Sequence, residues 1–188
     1  MSIVALIVGM ILIGFALPTH KEIANTSAVL DGSPNELFDC YNSREGQQLV
    51  WTRAWERFNG KGHPMNIVDL GGPDSGTGTK LGYYPGGKHS GGLRAFFNSI
   101  AEGDGQIVES KPDRRIVIDI DFGFVKTRRV NTFETVADRR TRVSWSETLE
   151  ASNPLSRWML LVSGDSQTDG FEKVLLALED VVMEKGTD

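Results

Sequence analysis

Cysteine is almost missing from this sequence. Cys40 stands alone among 188 residues, so no intrachain disulfide can form and the redox compartment is left open. It follows Phe38 closely in an expected helix, the setting of a buried structural thiol rather than of a nucleophile. Histidine is nearly as scarce. His20, His63 and His89 are scattered in loop-like contexts, and no Cys/His cluster has metal-ligand spacing. A metal site is therefore not expected, nor is any cofactor, since no phosphate-binding loop occurs. Net positive charge is lacking as well: 20 Lys and Arg face 25 Asp and Glu, a balance of -5. A nucleic-acid partner is not expected, because phosphate binding wants a basic face. The arginines at 114–115, 128–129, 139–140 and 142 have carboxylates interleaved among them and read as a solvated sheet face. Repeats, low-complexity tracts and linkers are missing too. One domain with room for a real core is the expectation.

Only the first residues carry a long apolar run. Residues 2–18 are almost wholly apolar and uncharged, and the first charge is Lys21. That length is at the lower limit for a membrane span, about 17 residues. A membrane anchor over residues 1–19 is the leading expectation, with a cleaved signal peptide and a buried helix as the other two readings. The missing basic flank and the lack of a clean small-x-small site weaken the signal peptide. Lys21 alone says little about orientation. The expected location is a membrane, bacterial and inner, with a single pass. Gly9 and Gly14 are not spaced as a helix-pairing motif.

Residues 21–30 read as a first strand, stopped by Asp31-Gly32-Ser33-Pro34. Ser33 then makes a helix cap, with Pro34 at the first helical position and Glu36 at the third, which predicts a helix over 34–42. A second helix is expected over 47–58. Short strands follow at 65–70 and 77–84, joined by a Gly-rich turn. Residues 85–105 begin as a Gly-rich loop, and then Leu93, Phe96, Phe97 and Ile100 fall at helical spacing. They predict either a short lid helix or an ordinary tethered loop. Residues 106–110, 115–125, 128–136 and 140–149 fit an antiparallel meander. Ile116, Ile118, Ile120 and Phe122 share one face, as do Val143, Trp145 and Leu149, with Glu147 in phase with them. From about Gln167 a helix runs on, with Phe171, Val174, Leu175, Leu178 and Val182 as its apolar stripe. A stripe that long needs a sheet to lie on.

Four motifs in order carry a resemblance. Asp31-Gly32-Ser33-Pro34-Asn35-Glu36-Leu37-Phe38 resembles the strand-end entry of the START/Bet v 1-like superfamily, also called SRPBCC or polyketide cyclase/dehydrase-like. Glu109-Ser110-Lys111-Pro112-Asp113-Arg114-Arg115-Ile116 resembles its E-S-x-P-x-x-R-I turn. Thr141-Arg142-Val143-Ser144-Trp145 resembles its T-x-V-x-W strand. Asn153-Pro154-Leu155-Ser156-Arg157, followed by the run from Gly170 to Leu178, resembles its closing segment. The resemblance implies an α+β helix-grip fold over residues 20–188: a curled antiparallel sheet around a long C-terminal helix, with a deep apolar cavity between them. It also implies hydrophobic ligands such as lipids, sterols or polyketides, and in some members a cyclisation or dehydration activity.

Three functions follow as expectations. The first is a membrane-anchored binding protein for a hydrophobic small molecule or lipid. Its cavity would be lined by Ile118, Phe122, Phe133, Val143, Trp145, Trp158, Phe171 and Leu175, with Leu93, Phe96, Phe97 and Ile100 as the lid. The second is an enzyme of the cyclase or dehydratase type. Glu147 would be its acid/base group, a carboxylate desolvated among Val143, Trp145 and Leu149. A salt bridge from Glu147 to an arginine such as Arg157 would favour binding over catalysis. The third is a protein-interaction module with a vestigial cavity.

Overall fold

The computed structural model describes residues 3–59, 65–85, 102–151, 153–162 and 168–186. Its elements in chain order are α1 (Ile3–Ala16), β1 (His20–Asp31), α2 (Pro34–Asn42), α3 (Arg44–Asn59), β2 (Met65–Asp69), β3 (Lys80–Pro85), β4 (Gly103–Lys111), β5 (Arg115–Asp121), β6 (Lys126–Ala137), β7 (Arg140–Glu150), α4 (Pro154–Val162) and α5 (Thr168–Lys185).

The strands form one antiparallel sheet in the order β1-β7-β6-β5-β4-β3-β2. Hairpins join β4 to β7 in sequence. Strand β7 then pairs with β1 over its whole length, from His20 opposite Glu150 to Asp31 opposite Arg140, which puts β1 at one edge of the sheet. Irregularities interrupt the β1–β7, β4–β5 and β6–β7 ladders. Each adds an unpaired residue and local twist, which helps the sheet curl.

The expected cap forms at α2. The Glu36 amide donates to Ser33 Oγ, while the Ser33 amide donates to Glu36 Oε2 at 2.7 Å. This aims Leu37, Phe38, Cys40 and Tyr41 inward. Helix α3 begins almost at once, and Gly46 makes that possible: a Cβ there would lie 1.7 Å from the Cys40 carbonyl oxygen. Helices α2 and α3 pack against one another and against α5, and α5 lies against β1. One apolar core joins these helices to the inner sheet face, with Leu37, Val50, Ile107, Ile118, Val143, Leu175 and Leu178 almost fully buried in it. A smaller cluster of Ile23, Val125, Leu149, Ala151 and Leu160 sits at one end of the sheet.

Two expectations differ from the structure. The segment from Asn153 holds a helix of its own, α4, ahead of α5. Asn153 caps it: its Oδ1 accepts from the Ser156 amide at 2.8 Å. The N-terminal apolar run is helix α1 of 14 residues, about 21 Å long at 1.5 Å per residue. Among the described residues, no helix is long and apolar enough to cross a membrane. Helix α1 docks on α4. The Arg157 guanidinium donates to the carbonyls of Gly14 and Phe15, at 3.4 and 3.0 Å, and the Trp158 indole donates to Met10 O at 2.9 Å. Arg157 thus satisfies carbonyls at the C-terminal end of α1, where helix oxygens lack partners and cations are favoured. Away from α4, α1 is bare: Ile3, Leu12 and Phe15 are each more than 60 % exposed.

Candidate ligand-binding site

Strand β6 turns Thr127, Arg129, Asn131 and Phe133 to the inner face, and β7 turns Val143, Trp145, Glu147 and Leu149 the same way. The antiparallel register sets Arg129 opposite Glu147. Both are buried, and Arg129 Nε donates to Glu147 Oε2 at 3.0 Å. Trp145 Nε1 donates to the same oxygen at 3.2 Å. Aromatic rings enclose the guanidinium, whose Cζ lies 4.5 Å from the ring centre of Trp145, 4.9 Å from that of Trp51 and 5.8 Å from that of Tyr83. Such stacking suits a weakly hydrated planar cation. Trp145 in turn meets Phe171 at 5.0 Å, Tyr41 at 5.8 Å and Trp51 at 6.0 Å between ring centres.

Helix α3 brings a second polar side chain. Gln47 precedes Trp51 by one turn, so both look at the sheet. The Tyr83 hydroxyl donates to Gln47 Oε1 at 2.8 Å. Burial pushes the Tyr83 phenol up to about 12 despite the nearby cation, and the Tyr41 phenol above its ordinary range for the same reason. Burial alone would lower the Arg129 guanidinium. Glu147 more than offsets this and holds it above its usual value. The pair is therefore an ion pair in an aromatic shell.

Several hydrogen-bonding atoms of this cluster have no protein partner. Arg129 Nη1, Trp51 Nε1, Gln47 Nε2, Asn131 Oδ1 and Thr127 Oγ1 are all buried and unmatched. The Tyr41 hydroxyl sits beside the guanidinium without forming a well-aligned bond. A buried unmatched polar group costs roughly 1–3 kcal/mol. Five in one apolar interior mark a place organised around something other than packing alone.

Of the residues expected to line a cavity, Ile118, Phe133, Val143, Trp145, Phe171 and Leu175 meet in the main core, and Phe122 packs partly buried against it. Trp158 stands apart, half-buried at the α1–α4 contact with its indole N–H on Met10 O. Leu93, Phe96, Phe97 and Ile100 lie outside the described residues. Glu147 pairs with Arg129 rather than Arg157, which is used at α1. The solvated-face reading of the arginines holds for Arg128 and Arg142, which pair at the surface with Asp119 and Glu134. It fails for Arg129. The signal was present: Arg129 is in phase with Phe133 on its strand, as Glu147 is with Trp145. Gln47 and Trp51 were missed because helix phase alone does not say where the sheet lies. Cys40 is buried and free, and burial pushes its thiol up to about 11, which suits a structural role. Among the described residues, no group of His, Cys, Asp or Glu is arranged to hold a metal ion.

An outer depression of about 510 Å³ lies across the far sheet face, lined in part by His20, Asp119, Asp121, Lys126, Arg128 and Glu150. Arg128 pairs there with Asp119 and Lys126 with Asp121. The unmatched donors of the aromatic cluster lie inside.

A seven-stranded curled sheet gripping a long C-terminal helix is the helix-grip, Bet v 1-like fold. Solved structures with this fold match the chain over most of its length. Norcoclaurine synthase from Thalictrum flavum, in complex with dopamine and hydroxybenzaldehyde, matches with a TM-score of 0.58 at 11% identity, covering 92% of this chain and 92% of that one. A protein from Arthrobacter aurescens matches at 0.57 and 13% identity, covering 85% of each chain. Ms6760 from Mycobacterium smegmatis matches at 0.53 and 16% identity, covering 86% of this chain and 90% of that one. At these identities the likeness establishes the fold. No family model matches the sequence, and no curated protein matches it.

Proposed function

We propose that this protein binds an apolar small molecule or lipid between the sheet and the C-terminal helix, and that its N-terminal helix holds it at a membrane. The observation that carries the binding role is the group of unmatched polar atoms around Arg129 in an otherwise apolar interior. A ligand that supplies their missing hydrogen bonds gains both that energy and the burial of its apolar body. The fold is compatible with such a guest, since the norcoclaurine synthase structure is a complex with two small aromatic molecules. The rings around the pair touch one another, so uptake shifts them, and the tryptophans report it. Binding is favoured over turnover because Glu147 Oε2 is already engaged by Arg129 and Trp145.

The membrane half rests on α1 and α4. Ile3, Ile7, Leu12, Ile13 and Phe15 of α1, with Leu155 and Leu161 of α4, are all exposed. A helix too short to span and bound along one side to its own domain can lie in the interface plane, with its bare side among the lipids.

The test of the binding role is native mass spectrometry of the full chain purified from its host, followed by organic extraction. A co-purifying apolar compound of defined mass supports the reading. A protein that comes off empty, and takes up no apolar dye, overturns it in favour of a filled core.

A further inference from the structure

We propose that the interior site takes an uncharged carbonyl compound (a ketone, ester or amide on an apolar body) whose oxygen is received by Arg129 Nη1, Trp51 Nε1 and Gln47 Nε2. The inference rests on the binding role above and specifies its ligand class.

Two features decide the class. The first is hydrogen-bond polarity. An arginine Nη, an indole Nε1 and an amide NH2 can donate and cannot accept. All three are unmatched and belong to side chains at least nine-tenths buried: Arg129 is 4 % exposed, Trp51 7 % and Gln47 0 %. They also converge. The guanidinium lies 4.9 Å from the Trp51 ring centre, and Gln47 is tied through the Tyr83 hydroxyl to a ring 5.8 Å from that guanidinium. A group placed among them must accept. Three further unmatched atoms can accept: Asn131 Oδ1 and Thr127 Oγ1 flank Arg129 on the same face of β6, and the Tyr41 hydroxyl sits beside the guanidinium. The Thr127 and Tyr41 hydroxyls can donate as well.

The second feature is charge. Arginines that receive carboxylates usually bring an uncompensated positive charge. Here Glu147 faces Arg129 at 3.0 Å with both side chains almost fully buried, so the cation is already neutralised. The other titratable groups facing the guanidinium are Tyr41 and Tyr83, and burial keeps both protonated. A carboxylate ligand would leave one uncompensated negative charge in a dry interior, which is strongly unfavourable. A carbonyl oxygen satisfies the donors and adds no charge. The aromatic rings that enclose the guanidinium suit an apolar body attached to that carbonyl.

The experiment compares three probes of matched length on the full chain by isothermal titration: methyl nonyl ketone, undecanoate and undecane. It repeats the series on Trp51→Phe, which removes one donor and keeps an apolar ring. The expected result is that the ketone binds on the order of tenfold tighter than either other probe. In Trp51→Phe its advantage over undecane should shrink by about two- to tenfold, the worth of one hydrogen bond. Tightest binding of undecanoate overturns the uncharged class. Equal binding of ketone and undecane, or a Trp51→Phe effect equal on both, overturns the role of the donors and leaves an apolar carrier. Failure of all three to bind overturns the carrier reading, and this inference with it.

Discussion

Arg129 and Glu147 stand directly opposite one another on β6 and β7, joined at 3.0 Å, and each is only 4 % exposed. A buried ion pair is poor evidence of stability, because desolvation of two charges offsets their attraction. Losing one partner is a different matter, since the other is left charged in the dry. Arg129→Met should therefore destabilise the fold by about 3–5 kcal/mol. Arg129→Met combined with Glu147→Gln should recover a large part of that loss, because no charge remains. Urea unfolding of the two variants checks this. A double variant no more stable than the single one would show that the guanidinium matters through its aromatic contacts instead.

The buried phenols and thiol set an alkaline limit. Burial raises Cys40 from 9.0 to about 11 and Tyr83 from 10.0 to about 12, and it raises Tyr41 as well. Each group keeps its proton in the folded state while the unfolded chain loses it. The sign follows: stability is complete below pH about 9 and falls as pH rises through the folded values, by up to about 1.4 kcal/mol per pH unit for each group. Urea midpoints should drop steadily from pH about 9 upward. Tyr83→Phe and Cys40→Ala should each flatten the drop. A midpoint indifferent to pH over that window would mean these groups ionise without unfolding.

Gly14 is where α1 meets α4. A Cβ on Gly14 would lie 2.3 Å from the Pro154 carbonyl oxygen, and that oxygen is backbone. Gly14→Ala should therefore push α1 off α4, with a penalty of about 1–3 kcal/mol of the overpacking kind. Hydrogen exchange of the α1 amides should accelerate at least about fivefold while β5 to β7 keep their protection. Unchanged protection in α1 would show that the helix holds without this contact.

How far the sequence carried the fold depends on the element. The meander was legible because period-two alternation in β5 and β7 is strong: Ile116, Ile118 and Ile120 on one strand, Val143, Trp145 and Leu149 on the other, all buried. The Ser33–Glu36 cap was legible because it is a local chemical device. Helix α4 was not, since nine residues offer little periodicity and its partner, α1, is the chain's other end. The site was half legible. Glu147 could be placed on an apolar face from its own strand. Its partner required reading Arg129 by phase rather than by charge, and a pair of opposite charges on inward positions of adjacent strands is the pattern that identifies both. Gln47 and Trp51 come from a helix whose rotation against the sheet is set by tertiary packing, which no local pattern records.

Membrane attachment through α1 and α4 gives the most direct test of location. Leu12 and Phe15 are each 64 % exposed, and Ile7 is 47 % exposed. Burying apolar surface is worth roughly 25 cal/mol per Å², so three such side chains in the acyl boundary amount to several kcal/mol. The full chain should float with phosphatidylethanolamine–phosphatidylglycerol vesicles on a density gradient. Ile7→Asp with Phe15→Asp should lower the bound fraction by on the order of tenfold or more, because each carboxylate must stay in water. Leu176→Asp makes the control: that residue is also exposed, at 44 %, but lies on α5 away from α1. Since neither change touches Arg129 or Glu147, thermal unfolding should be nearly the same in all three proteins. Equal flotation of the α1 and α5 variants would show that the apolar surface of α1 is not what meets the lipid, and a wild-type chain that stays at the bottom of the gradient would remove the membrane from the account.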